Sequence, residues 1–253
     1  MRSFDGKRKK KILILTLSVV LALALTVLGC AIYLGDYYRA DRPRIDEYVA
    51  DIGIEQRELS RGTVAFEPEG AQVGLIFYPG GKVEAEAYIP LMASLAEKGI
   101  VAVLVRMPFN LAVLDFGAVE GICEYFPEIE RWYIGGHSLG GAMASFYVSS
   151  HAEEFEGLVL IGAYSTSDIS ETGLRVLSVY GSEDGVMNRK KYEKYSTNLP
   201  EDLVEKVIEG GNHAGFGMYG KQDGDGDASI SDAEQIKLTA DMIWELIQSE
   251  KRE

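Results

Sequence analysis

At 253 residues with 47% hydrophobic residues, the chain can bury one sizeable core, and its composition excludes a disordered, collagenous or disulfide-stapled protein. Charge is split along it: residues 1–11 hold Arg2, Lys7, Arg8, Lys9, Lys10 and Lys11 against Asp5, which leaves 19 basic and 38 acidic residues, a net of −19, for everything that follows. So acidic a remainder is a poor partner for nucleic acid, and two cysteines, Cys30 and Cys123, give neither a disulfide framework nor a zinc spacing.

Ile12 to Leu34 is a run of 23 residues without a charge. As a helix it spans about 35 Å against a hydrocarbon core of about 30 Å, and it is longer than the apolar part of a secretory signal. It reads as a transmembrane anchor contacting the lipid bilayer. Val27-Leu28-Gly29-Cys30 loosely resembles a lipobox, but Ala31, Ile32, Tyr33 and Leu34 carry the apolar run past the cysteine. Lys7 to Lys11 precede the span and Asp36, Tyr37 and Tyr38 follow it, so the positive-inside rule makes residues 1–11 a cytoplasmic tail and sets the remainder outside. Residues 35–62 are expected to be a stalk or lead-in, where the polar and charged composition from Tyr37 to about Glu58, with Pro43, suits a stalk or an irregular first helix, and the main domain is expected over 63–253.

Apolar runs at Thr63–Phe66, Val73–Tyr78, Ile100–Val105, Arg131–Ile134, Leu158–Ala163, Leu174–Tyr180 and Leu203–Ile208 read as strands. Helices are expected up to Lys98 with Gly99 as cap, over Leu111–Phe126, after Gly141, and over Asp232–Ile247, where Ser231 and Glu234 form a capping box and Ile236, Ala240, Ile243 and Ile247 share a face. Strands alternating with helices indicate an α/β fold with a mainly parallel, doubly wound sheet. Only about ten residues separate Ala163 from Leu174, too few for a lid inserted there.

The sequence Gly135-Gly136-His137-Ser138-Leu139-Gly140-Gly141 runs from a strand into a helix with a serine at the bend. Such a turn strains the serine backbone, lifts Oγ out of the sheet and demands small residues two before and two after, here Gly136 and Gly140. The following helix aims its N-terminal N–H groups at any oxyanion formed there. In a chain with 28 glycines the bare pattern is weak, and the strand and helix around it carry the reading.

In these residues the chain resembles the alpha/beta-hydrolase superfamily, from about Gln72 to the end. It is most similar to the small lidless branch that includes the dienelactone hydrolases, with serine in place of their cysteine. The resemblance implies Ser138 as nucleophile, Asp184 in Tyr180-Gly181-Ser182-Glu183-Asp184 as acid and His213 in Gly210-Gly211-Asn212-His213 as base, in the order Ser, Asp, His. A serine needs a base, and the base a group that holds its tautomer. Of three histidines, His137 points away from Oγ at such a turn and His151 lies about 20 Å along the next helix, so His213 is the candidate. Glu183 and Asp168 are alternatives to Asp184. Oxyanion donors are expected from Leu139 N–H and from Gly81 or Lys82 in the loop after Tyr78, which departs from the common His-Gly start with Pro79-Gly80. The expected activity is hydrolysis of a small-molecule ester or thioester through an acyl-enzyme, without an organic cofactor. Acyl transfer and a catalytically silent surface binding protein of the same fold are the alternatives.

Two glycine-rich stretches do not indicate nucleotide. Gly215-Phe216-Gly217-Met218-Tyr219-Gly220 opens no helix, and Gly81-Lys82 lacks the P-loop spacing. From Asp223 to Glu234, by contrast, acids at Asp223, Asp225, Asp227 and Glu234 match positions 1, 3, 5 and 12 of an EF-hand calcium loop. Ala228 replaces the turn glycine, so the open readings are a calcium ion or a polar turn capped by Ser231 and Glu234.

Overall fold

Helix α1, Arg2–Gly35, opens the computed structural model, which describes residues 2–249. Its stretch Arg8–Gly35 is long and apolar enough to cross a bilayer, consistent with a membrane anchor. The chain divides into two units, one ending at Tyr37 and the other starting at Tyr38.

The second unit is built on a sheet of eight strands in the order β1-β2-β4-β3-β5-β6-β7-β8. In chain order these are β1 Glu55–Glu58, β2 Val64–Glu67, β3 Val73–Tyr78, β4 Ile100–Leu104, β5 Arg131–His137, β6 Gly157–Ile161, β7 Arg175–Gly181 and β8 Val204–Ile208. The six from β4 to β8 in that order pair in parallel, and β1-β2-β4 pair antiparallel at one side. Central strands are apolar on both faces because both are covered. Leu75, Phe77, Val159 and Val179 face α2 (Arg42–Val49), α3 (Ile89–Glu97) and α6 (Asp232–Gln248); Ile76, Tyr78, Ile134 and Leu160 face α4 (Leu139–Val148) and the segment before β5. A further helix, α5 (Arg189–Tyr195), follows β7 and places the Tyr192 hydroxyl 2.9 Å from Ser178 Oγ. Gly99, at φ +82, ends α3 as a left-handed cap. Residues 162–174, between β6 and β7, contain no helix or strand and form no lid.

Two expectations are corrected. Residues 111–126 form no helix but two short 3-10 turns, Ala112–Leu114 and Cys123–Tyr125. Gly117 and Gly121 interrupt the run, and the buried Tyr78 hydroxyl takes the Val119 N–H (3.1 Å) while donating to the Phe116 carbonyl (2.7 Å), so the segment closes as successive short turns, such as Ala118 N–H to Asp115 O and Ile122 N–H to Val119 O, pinned to the sheet by Tyr78. The second correction concerns the lead-in, which from Tyr38 onward is part of the folded domain and not a stalk. Tyr38 bridges to Val83, with Tyr38 N–H to Lys82 O at 2.8 Å and Glu84 N–H to Tyr38 O at 2.9 Å. Asp41 caps α2, Pro43 sits in its first turn, Ile45 is 4% exposed, and the Tyr48 hydroxyl lies 2.8 Å from Ser94 Oγ.

Ile45 separates the two readings of the lead-in. Ile45→Ala is expected to lower the unfolding free energy by about 2 kcal/mol or more, measured by urea titration, because it empties a packed site; a free stalk would show no change.

Candidate active site

Ser138 joins β5 to α4 with φ 52 and ψ −119, a conformation that non-glycine residues adopt only under constraint. The constraint is backbone packed on backbone. A Cβ on Gly136 would lie 2.6 Å from both Gly140 C and Tyr78 O, and one on Gly140 would lie 2.2 Å from Tyr78 O. The turn is also held from β6, since Ser138 N–H donates to Ile161 O at 2.9 Å. Its own carbonyl accepts Ala142 N–H at 3.1 Å and starts α4.

The loop after β3 lies against this turn, because a Cβ on Gly81 would meet Leu139 Cδ2 at 2.8 Å. Lys82, named beside Gly81 as a possible oxyanion donor, is ruled out: its φ is 59 and its N–H is given to Asn110 O at 2.7 Å. Among the described residues, neither Gly81 N–H nor Leu139 N–H is engaged by another group. Leu139 is the first residue of α4, at a helix N-terminus, where a developing negative charge is favoured.

Asp184 and His213 come from the loops that follow β7 and β8, and they meet with Asp184 Oδ2 2.8 Å from His213 Nδ1. Both side chains are almost fully buried. Burial by itself raises the Asp184 carboxyl, but the hydrogen bond and charge of His213, with the Met187 and Val186 amides on Oδ1 at 2.8 and 2.9 Å, outweigh it and hold Asp184 below the usual carboxylate range. A carboxylate only accepts, so His213 carries a proton on Nδ1. Its Nε2 is buried and has no hydrogen-bond partner among the described residues, Ser138 Oγ included. Ser138 is nevertheless close in the chain of contacts: Gly162, next to its partner Ile161, carries φ 53, and a Cβ there would sit 3.0 Å from the His213 ring.

The alternative acids do not reach this histidine. Glu183 is exposed and accepts from Ser182 Oγ at 3.2 Å, while Asp168 turns back on Ser170. His151 stacks on Tyr147 at 4.1 Å, away from the pair. His137 is closer to the site than its position in the turn suggested: its ring centroid lies 4.4 Å from that of His213, and its Nδ1 lies 2.7 Å from the Tyr88 hydroxyl. Burial raises the Tyr88 phenol, so it keeps its proton; its oxygen accepts Gly80 N–H at 3.1 Å and shares a hydrogen bond with His137 Nδ1. Tyr88 thus ties the oxyanion-side loop to the serine turn, and no spacing in the sequence signals it.

The calcium reading is corrected by the partners of its carboxylates. Asp225 Oδ1 accepts amides from Gly185, His213 and Gly226, and Oδ2 accepts Ala214 N–H at 2.8 Å. Asp227 pairs with Lys221 at 2.7 Å on the surface. Asp223 is exposed, Glu234 lies in the first turn of α6, and among the described residues no three His, Cys, Asp or Glu side chains gather as a cation cluster. The Ser231 cap on Glu234 N–H, at 3.1 Å, is formed.

Burial, and secondarily the charge of His213, holds His137 well below the ordinary histidine range. Between that lowered value and about pH 6.5 the unfolded chain binds a proton that the folded chain does not, so stability falls as pH drops through this window. Melting temperature is expected to decline from pH 7 to 5 and to decline less in His137→Asn, which keeps an acceptor for Tyr88; equal slopes in calorimetry would contradict the assignment.

A family model described as the alpha/beta hydrolase family matches residues 74–237. Among solved structures, TT1662 from Thermus thermophilus is similar with TM-score 0.58 at 13% identity, over 78% of this chain and 99% of its own. Est1E from Butyrivibrio proteoclasticus gives 0.54 at 13%, over 78% and 100%. A membrane phospholipase A, described as a novel bacterial virulence factor, gives 0.57 at 13%, over 94% and 100%. These likenesses are of fold. Among curated protein sequences none matches. The matched stretch runs from β3 through the serine turn to α6 and takes in well over half of the sequence, and on that ground the chain belongs to the alpha/beta hydrolase family.

Proposed function

We propose that the domain is a serine hydrolase that cleaves an ester or thioester through an acyl-enzyme, with Ser138 as nucleophile, His213 as base and Asp184 as the group that holds His213. The reading rests on one observation above all: a buried histidine, oriented by an ionised carboxylate at 2.8 Å, whose other nitrogen has no partner among the described residues, on the same edge of the sheet as a serine at positive φ. His213 Nε2 takes the Ser138 proton as Oγ attacks the acyl carbon, and the oxyanion is received by Leu139 and Gly81 N–H. Nε2 then gives the proton to the leaving alcohol or thiol. Water repeats the sequence on the acyl-enzyme and frees the acid.

The absence of a lid suits the small, open branch of the family that resembles dienelactone hydrolases. Phe109, Val113, Leu114, Phe116 and Phe146, each at least 43% exposed, stand on the segment after β4 and on α4. They offer an apolar rim to an acyl group, since such clusters on a surface mark binding. Two fold relatives, Est1E, seen with ferulic acid bound, and the membrane phospholipase A, carry names in line with ester chemistry. Basic residues at the N-terminal end of α1, ahead of its apolar stretch, support a cytoplasmic N-terminus with the hydrolase domain outside.

Ser138→Ala is expected to abolish fluorophosphonate labelling and lower ester turnover by roughly 10⁴-fold or more, with unchanged circular dichroism. His213→Ala should match it, and Asp184→Asn should retain about 10- to 100-fold more activity than either. A parent protein that takes no label and cleaves no ester across a chain-length series would instead be a silent binding protein. For topology, protease added to intact cells should digest the hydrolase domain; full protection would reverse the orientation.

A further inference from the structure

We propose that Asp225 is a positioning residue for the Asp184–His213 pair, acting by joining the backbones of the two loops that carry them. The inference rests on the hydrolase reading above and adds to it a residue that touches neither substrate nor reacting atoms.

Asp225 Oδ1 accepts Gly185 N–H and His213 N–H, both at 3.1 Å, and Gly226 N–H at 2.9 Å, while Oδ2 accepts Ala214 N–H at 2.8 Å. Gly185 is the residue after the acid, 40 positions from Asp225 in sequence; His213 is the base itself. One carboxylate therefore holds the main chain on both sides of the 2.8 Å contact between Asp184 and His213. Bonds from amides to an ionised acceptor are stronger than neutral ones, and four of them converge here. The strands of chain are also in contact: a Cβ on Gly226 would lie 2.1 Å from Glu183 O, and one on Gly185 would lie 2.6 Å from Gly224 O. From the other side Asn212, the neighbour of the base, is fixed by Gln235 of α6, which accepts its N–H at 3.0 Å and donates to its carbonyl at 2.7 Å. The base loop is thus anchored to α6 by Gln235 and to the acid loop by Asp225. Without Asp225, the amides of Gly185, His213 and Ala214 lose a common acceptor, and the two loops are free to drift apart.

The test uses the full-length protein in detergent. A misplacement on the order of 1 Å costs about 100-fold in rate, so Asp225→Ala should lower kcat by about 10- to 100-fold with KM within about twofold, and slow fluorophosphonate labelling in proportion. Asp225→Asn keeps one acceptor oxygen and should recover part of the loss; it carries the same readouts if the alanine variant does not fold. Proton NMR gives a signature independent of turnover: the downfield His213 Nδ1–H resonance should be present in the parent and in Asp227→Ala, and lost or shifted in Asp225→Ala. Parental kcat and an unmoved resonance in both Asp225 variants would overturn the proposal, whatever their melting temperatures. So would a rise in parental melting temperature with about 5 mM calcium that Asp225→Ala abolishes, since the carboxylate would then be a cation ligand. If the parent takes no label at Ser138, the hydrolase reading falls, and the NMR comparison still decides whether Asp225 holds the pair.

Discussion

At the carboxyl end of β3 the Tyr78 carbonyl occupies the space that a Cβ on Gly136 or Gly140 would need, 2.6 and 2.2 Å away, so β5 and the first turn of α4 approach β3 as bare backbone. Everything at the site depends on that approach. It forces Ser138 to positive φ, sets the α4 N-terminus at the edge of the sheet, and leaves Gly81 facing Leu139 across a gap that admits no side chain. Because parallel strands all end on this edge, the loops after β3, β5, β7 and β8 converge there without any long excursion of the chain.

The electrostatics of the site are those of carboxylates held by main-chain amides. Two carboxylates, Asp184 and Asp225, stand on adjoining loops, and each is offset by backbone amides: two on Asp184 and four on Asp225. Amide dipoles are fixed by the fold and need no ion from solution. His137, which could have supplied a positive charge beside His213, is held neutral by burial. The local charge next to His213 is therefore set by Asp184, the partner it touches.

Much of this was legible in the sequence because it is local or periodic. Strands buried on both faces show as continuous apolar runs, the serine turn declares itself through flanking glycines, and the capping box of α6 is written in Ser231 and Glu234. The rest was decided by contacts between distant residues. The run 111–126 has helical composition, yet the Tyr78 hydroxyl claims its backbone. The polar, charged stretch from Tyr37 to Glu58 suits a stalk as well as an irregular first helix, yet Tyr38 pairs with Val83, Asp41 caps α2 and Ile45 is buried. The amide of Lys82 is withdrawn by Asn110, a partner no spacing rule identifies. Asp225 is the clearest case, since its spacing with Asp223 and Asp227 suggested a metal and its partners are four amides.

Strand β1 has a consequence for a protein whose N-terminal helix is consistent with a membrane anchor. Molecules confined to a bilayer meet in two dimensions at raised effective concentration, and an open strand edge is a template for pairing with a second copy. The outer strand here is Glu55-Gln56-Arg57-Glu58, exposed along its whole length, with Arg57 bound to Glu67 at 2.6 Å; at the opposite side β8 presents Glu205 and Lys206. Both rims of the sheet are thus charged where a neighbour would dock. The charges of β1, set in a segment that reads as a polar lead-in, work against pairing between neighbouring copies.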